Sequence, residues 1–227
     1  MAVPTVALPN GVKMPLFGLG TFLATNPDEL KDALRGALDS GYRLIDTAAY
    51  YKNEDIIGEV LQEYFKSGKL KRADLFITTK LPFYAMDPAG AEKCIKKQLE
   101  DLRVDYVDLY LIHTPFAVKA TPEELQAAHK SGKSDEIELL NVPHIDTWRV
   151  LEKYYKSGTF KAIGVSNFNE KQIRNLYKQA EVKPMNLQVE CQIYWPQFEL
   201  HNLCKELGMT FTAFSSLGTP GRYATLN

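Results

Sequence analysis

Two hydrophobic periods alternate along this chain. Short, nearly continuous apolar runs read as strands: "LFGLGTF", "YRLIDTA", "LFITTKL", "VDYVDLYLIH", "FKAIGVS", "MNLQVEC" and "MTFTAFSS". Between them, apolar residues recur every three or four positions. In "NPDELKDALRGALDSG" Leu30, Ala33, Leu34 and Leu38 share one helical face, and Asn26-Pro27 supplies a start signal. The same period runs through "NEDIIGEVLQEYFKSG", "DPAGAEKCIKKQLEDL", "IDTWRVLEKYYKSG", "NEKQIRNLYKQA" and "QFELHNLCKELG". Ahead of this series, "TVALP" and "KMPLFG" flank Asn10-Gly11, which predicts a hairpin. The polar stretch from about Thr114 to Pro143 shows neither period and is expected to be one long loop.

Seven strands alternating with six helices predict βαβ units and a parallel sheet in a single domain over residues 1–227. A doubly wound sheet and a TIM barrel both fit that order. "GLGTFL" has Leu23 where a dinucleotide fingerprint needs its third glycine, which weakens the doubly wound reading. The strand ends favour the barrel. Asp46 ends "YRLI", Lys80 ends "LFITT" and His113 ends "VDLYLI". Ser166-Asn167 end "FKAIGV", Gln188 and Glu190 interrupt "NLQVEC", and Ser215-Ser216 end "TFTAF". A barrel collects its reactive groups on that face, whereas an open sheet shares only one crevice.

Composition narrows the function classes. A net charge of −1 gives no electrostatic reason to expect nucleic acid or an anionic membrane as partner. No apolar run approaches the ~18 residues of a membrane span. Three cysteines without C-x-x-C spacing suggest neither a disulfide framework nor a zinc ribbon. The N-terminus lacks a basic and an apolar region of the signal-peptide kind, so a cytoplasmic location is expected. No metal is expected: of His113, His129, His144 and His201 only His113 ends a strand.

An acid, an amine and an imidazole on three consecutive strand ends, with Tyr50 and Tyr51 just behind the acid, suit general acid catalysis. A phenol of ordinary pKa ~10 is a weak donor at neutral pH. An ammonium ~4 Å away is worth ~4 kcal/mol at an effective dielectric of 20, so a tyrosine pKa lowered by up to ~3 units is expected. Asp46 can keep Lys80 charged, and neutral His113 can donate N–H to a substrate oxygen. Such a set protonates an alkoxide as it forms on a carbonyl, and it needs a separate hydride donor.

With these motifs the sequence resembles the aldo-keto reductases. "GYRLIDTAAYYKNE", "LFITTKL", "VDLYLIHTP", "FKAIGVSNF", "NLQVEC" and "TAFSSLGTPGR" look like that family's signature segments. The resemblance implies a (β/α)8 TIM barrel with an N-terminal hairpin closing its bottom, and reduction of small aldehydes and ketones by NADPH. It implies Asp46, Tyr51, Lys80 and His113 as catalytic residues, selecting Tyr51 by the x-N-E after it (Lys52-Asn53-Glu54). Ser166, Asn167 and Gln188 would hold the nicotinamide carboxamide, with Asp46 beside them. Phe214 would stack on the ring, Ser215, Ser216, Leu217 and Gly218 would approach the pyrophosphate, and Thr21 would touch the ribose. Phe22, His113 and Thr114 would line a substrate pocket expected to be roomier and less aromatic than in relatives.

No eighth strand and no helices seven and eight are legible before Asn227. The barrel is therefore expected to lack strand 8 and its C-terminal helices. A form with that segment is expected to be a monomer, and this chain to self-associate through two open edges. The rival to a reductase is a catalytically weak nucleotide-binding barrel serving as a structural or regulatory subunit.

Overall fold

The computed structural model describes residues 3–133 and 136–218. The hairpin is present: β1 (Thr5–Ala7) pairs antiparallel with β2 (Lys13–Pro15), and Gly11 takes φ 87° at the turn. Then come β3 (Leu19–Gly20) and α1 (Pro27–Asp39). The Asn26 side chain caps α1 by accepting from the N–H groups of Asp28 and Glu29, and Leu30, Leu34 and Leu38 are buried beneath it. β4 (Leu44–Asp46), α2 (Glu54–Lys66), β5 (Phe76–Leu81), α3 (Pro88–Leu102) and β6 (Leu109–Ile112) continue the alternation.

The stretch expected as one loop is built instead. β7 (Ala117–Val118) pairs antiparallel with β8 (Leu139–Leu140), and α4 (Pro122–Ser131) stands between them. The start of α4 is a reciprocal box. The Thr121 N–H donates to Glu124 Oε2 at 2.7 Å, and the Glu124 N–H donates to Thr121 Oγ1 at 3.2 Å. That signal was present in "TPEEL", where high polarity masked it. After it come α5 (His144–Lys156), β9 (Ile163–Ser166), α6 (Glu170–Gln179), β10 (Asn186–Glu190), α7 (Phe198–Leu207) and β11 (Thr210–Phe214). No described helix is long and apolar enough to cross a membrane.

The seven main strands run parallel in the order β11-β10-β9-β6-β5-β4-β3. In a flat sheet β4 and β10 would lie roughly 19 Å apart, four strand spacings. Instead Gln188 on β10 donates to Asp46 on β4 at 2.7 Å. The sheet therefore curls into a nearly closed barrel, and the doubly wound alternative is out. Among the described residues β3 and β11 are its edges, with no strand between them. A cavity of about 670 Å³ separates them, lined from both sides by Gly18, Gly20, Phe211 and Ala213.

Side chains alternate strictly between the two faces. Ile45, Ile77, Ile112 and Val165 point outward into the core beneath the helices. Leu44, Phe76, Leu109 and Leu111 point inward and pack with Leu8 and Met14 of the hairpin region. The hairpin thus plugs the end where the strands begin, as expected. Two residues further along each strand, the inward positions turn polar.

Candidate active site

Those polar positions sit at the opposite end. Asp46 is the last residue of β4, Lys80 the fifth of the six in β5, and His113 follows β6 directly. Lys80 is 1% exposed. Its Nζ donates to Asp46 Oδ1 at 2.5 Å, to the Thr47 carbonyl at 3.0 Å and to the Tyr51 hydroxyl at 3.2 Å. All three ammonium hydrogens are spent on oxygen. Burial disfavours its charge, but the fields of Asp46 and Tyr51 and the hydrogen bonds outweigh burial and hold Lys80 above its ordinary pKa.

Tyr51 is aimed by a local turn. Ala49–Tyr51 form a single turn of 3-10 helix, closed by Lys52 at φ 55°. Asn53, 2% exposed, then fastens this turn to the loop after β3. Its Oδ1 accepts from Thr47 Oγ1, and its Nδ2 donates to the carbonyls of Thr21 and Ala24. Phe22 on that loop brings its ring centroid 5.1 Å from that of Tyr51. Tyr50 points elsewhere: it is 39% exposed and packs on Phe83 at 5.0 Å. Of the two tyrosines, Tyr51 is the one that touches the lysine.

The expected lowering of the Tyr51 pKa is corrected. Burial raises it, Lys80 lowers it, Asp46 raises it again, and the net shift is upward. Burial is the largest contribution, and Asp46, in contact with Lys80, offsets part of what the ammonium does. His113 stands with its ring centroid 5.6 Å from that of Tyr51. Burial, with a smaller contribution from Lys80, pushes its pKa down to about 3, so the imidazole is neutral across the physiological range. Its Nδ1 is buried without a hydrogen-bond partner.

The expected cofactor residues divide into three groups. Asp46, Gln188, Phe214, Ser215, Ser216, Leu217 and Gly218 all line the cavity between β3 and β11. Ser166 and Asn167 lie beside it at the end of β9. Asn167, at φ 62°, donates from Nδ2 to the His113 carbonyl at 2.9 Å and to Ser166 Oγ at 3.2 Å. Thr21 is different. It is 1% exposed and its hydroxyl donates to the Asp46 carbonyl, so it ties β3 to β4.

The expected substrate side carries further aromatic rings. Phe22 is 54% exposed, and Thr114 donates its hydroxyl to the Phe116 carbonyl. Three aromatics were not foreseen. Tyr50 lies edge-on to His113 at 6.4 Å, Phe83 packs on Tyr50, and Phe116 packs on Phe83 at 5.5 Å. Phe83 and Phe116 follow Lys80 and His113 by three residues each, so they enter from the same strand ends. That spacing was the available signal.

Residues 16–225 match the sequence model of the Aldo/keto reductase family. The chain belongs to this family. It is 42% identical over 222 residues to aldo-keto reductase family 1 member A1 of Gallus gallus, covering 96% of this chain and 65% of that protein. Among solved structures, the aldose reductase from Schistosoma japonicum superposes with a TM-score of 0.84 at 37% identity, covering 93% of this chain and 68% of that one. An aldo-keto reductase solved in complex with NADPH superposes with a TM-score of 0.83 at 35% identity, covering 94% and 63%. The chain thus spans about two thirds of the length of the relatives it matches. The family match agrees with the barrel and with the expected family.

Proposed function

We propose that this chain carries the site of a carbonyl reductase that converts small aldehydes and ketones to alcohols, with NADPH as hydride donor. The observation that carries the reading is the Tyr51 hydroxyl 3.2 Å from a lysine that is itself clamped by Asp46. Lys80 donates to the phenol oxygen, so the phenol keeps its own hydrogen for a substrate oxygen. An alkoxide is far more basic than a phenolate, so Tyr51 can deliver its proton even with a raised pKa. Once the proton leaves, the Lys80 ammonium is already in place to stabilise the phenolate. Neutral His113 offers an N–H to the same oxygen, orienting the carbonyl and stabilising the charge that develops on it.

The nicotinamide, when bound, supplies the hydride. This chain's residues fit its carboxamide. Ser166 has a hydroxyl hydrogen free to donate, and Asn167 Oδ1 and Gln188 Oε1 remain to accept, because the nitrogens of both amides are already used. Phe214 offers a ring face, and the Ser215 to Gly218 turn, with the Ser216 hydroxyl, lies where a pyrophosphate would sit. NADPH as the nucleotide is supported by the relative solved with it. Phe22, Tyr50, Phe83, Phe116 and Thr114 favour apolar carbonyl compounds. The three free cysteines suit a reducing, cytosolic setting.

The test is loss of NADPH absorbance with an aryl aldehyde. A rate that rises and saturates with aldehyde supports the reading; a folded chain that binds NADPH without aldehyde-dependent turnover contradicts it. That second outcome is the one expected of a nucleotide-binding subunit, which β3 and β11 favour, their outer sides unpaired with any strand among the described residues.

A further inference from the structure

Glu54 plays no part in the chemistry above, yet it is the first residue of α2 and stands three residues after Tyr51. It is 4% exposed and forms no ion pair among the described residues. Neutral donors surround it instead. The Thr79 hydroxyl donates to its Oε1 at 2.5 Å, and Gln98 Nε2 reaches the same oxygen at 3.2 Å. That Nε2 also lies 2.7 Å from Thr79 Oγ1 and 3.3 Å from the Lys80 carbonyl. Behind Gln98, the Tyr110 hydroxyl donates to its Oε1 at 2.5 Å. The donors run in one direction, from Tyr110 through Gln98 and Thr79 to Glu54, an arrangement in which each bond polarises the next.

The network lies just outside the barrel wall. Lys80 points into the barrel, so Thr79 points out of it, towards α2 and α3. The two helices cross closely there. A Cβ on Gly58 would come within 2.1 Å of the Asp101 carbonyl oxygen, so the glycine is required for the approach. Beside this crossing, Glu54, Cys94 and Gln98 line a cavity of about 630 Å³ bounded by Ala120–Pro122. The cavity is separate from the one that holds the expected cofactor residues.

We propose that Glu54 is a positioning residue for the catalytic pair: through Thr79 and Gln98 it holds the Thr79–Lys80 segment, and it exchanges its proton through the cavity between α2 and α3, so its charge tunes Tyr51 from behind the barrel wall. The proposal rests on the reading of Tyr51 and Lys80 as the acid and its cation. Burial raises the Glu54 pKa, the hydrogen bonds from Thr79 and Gln98 lower it, and the balance is about 7. Asp101 on α3 adds to the rise and Lys80 opposes it. Tyr84, Cys94 and Tyr110 face it as neutral groups, their own ionisation pushed up by burial and by the Glu54 charge. Lys52, Asp55, Lys93 and Lys97 stand around the cavity. The Glu54 charge also raises the Tyr51 pKa. Below neutrality Glu54 takes up a proton and Tyr51 becomes the stronger acid; above it Tyr51 holds its proton more tightly.

Two measurements on the full chain, without nucleotide or substrate, test this. Infrared difference spectra between the wild type and Glu54→Gln isolate the Glu54 carboxyl band. It should persist to near neutral pH, and Thr79→Val should carry it to higher pH by removing a donor to the ionised form. A band lost by pH 5, or one that Thr79→Val leaves in place, overturns the proton exchange. Carbon-13 NMR of ring-labelled tyrosine, assigned with Tyr51→Phe, follows the phenol. Glu54→Gln keeps an acceptor for Thr79 but removes the charge, so Tyr51 should ionise at lower pH. A purely structural role leaves that titration unmoved, and an unmoved titration overturns the tuning. Neither readout uses turnover, so a failed reductase assay leaves both standing.

Discussion

Replacing Lys80 with methionine keeps the length of the side chain and removes its charge, at a site that is 1% exposed. The loss strips Asp46 of its cation and leaves it one side-chain donor, Gln188 at 2.7 Å. Removing one partner of a buried pair costs about 3–5 kcal/mol, because the remaining charge stays buried without compensation. The Asp46 side chain is 21% exposed, so water relieves part of that cost and the lower end, about 3 kcal/mol, is expected. This is a large share of a typical folding free energy of about 5–15 kcal/mol. The assay is urea unfolding at fixed protein concentration, read by the fluorescence of Trp148, which is fully buried. Adding Asp46→Asn should restore about 2 kcal/mol, since the stranded carboxylate is then gone. Lys80→Met alone should also raise the ionisation of Tyr51, whose lowering cation has been removed. A single mutant costing under about 1 kcal/mol, the value of an exposed pair, would falsify the buried-clamp account.

Glu54 makes stability depend on pH. Its pKa is about 7 in the fold against 4.5 ordinarily, so the folded state holds the proton more tightly. Its contribution is complete below pH 4.5 and is lost as pH rises through about 7, a change of about 3 kcal/mol that Glu54→Gln should abolish in thermal unfolding across that window. His113 has the opposite sign. With a folded value of about 3 against 6.5, it supplies stability above pH 6.5 that is lost as pH falls towards 3, and nitrogen-15 NMR should find its ring neutral at pH 5. The outer sides of the edge strands β3 and β11 have no strand partner among the described residues, so the 227-residue chain should sediment as an associated species with weak NADPH binding. A compact monomer that binds NADPH at micromolar levels contradicts that expectation.

The period of the apolar positions made most of the barrel legible, because β4, β5, β6, β9 and β10 are covered on their outer faces and α1, α2, α3, α5, α6 and α7 each bury one stripe. Strand-end placement also marked Asp46, Lys80 and His113, since only inward positions at that end meet. Extents were less legible. "LFGLGTF" reads as a full strand but pairs only over Leu19–Gly20, because the chain leaves the sheet edge there for the loop tied down by Asn53. α4 was lost because an exposed helix with a polar face carries little hydrophobic period. The sign of the Tyr51 shift depended on three-dimensional burial and on how fully Asp46 offsets Lys80. Glu54 is an acid in the first turn of a helix, where a solvated carboxylate is ordinary. Nothing in "KNEDII" says that this one is enclosed by Thr79 and Gln98.

The central claim is that Tyr51 delivers the proton during carbonyl reduction, and single-turnover oxidation of NADPH with an aryl aldehyde tests it most directly. With nucleotide at saturation, Tyr51→Phe should lower the rate by ~100-fold or more, the usual contribution of a positioned acid, while nucleotide-induced quenching of tryptophan fluorescence stays unchanged. Tyr50→Phe should leave the rate within a few-fold of the parent. Equal losses in the two variants, or a larger loss in Tyr50→Phe, would contradict the assignment.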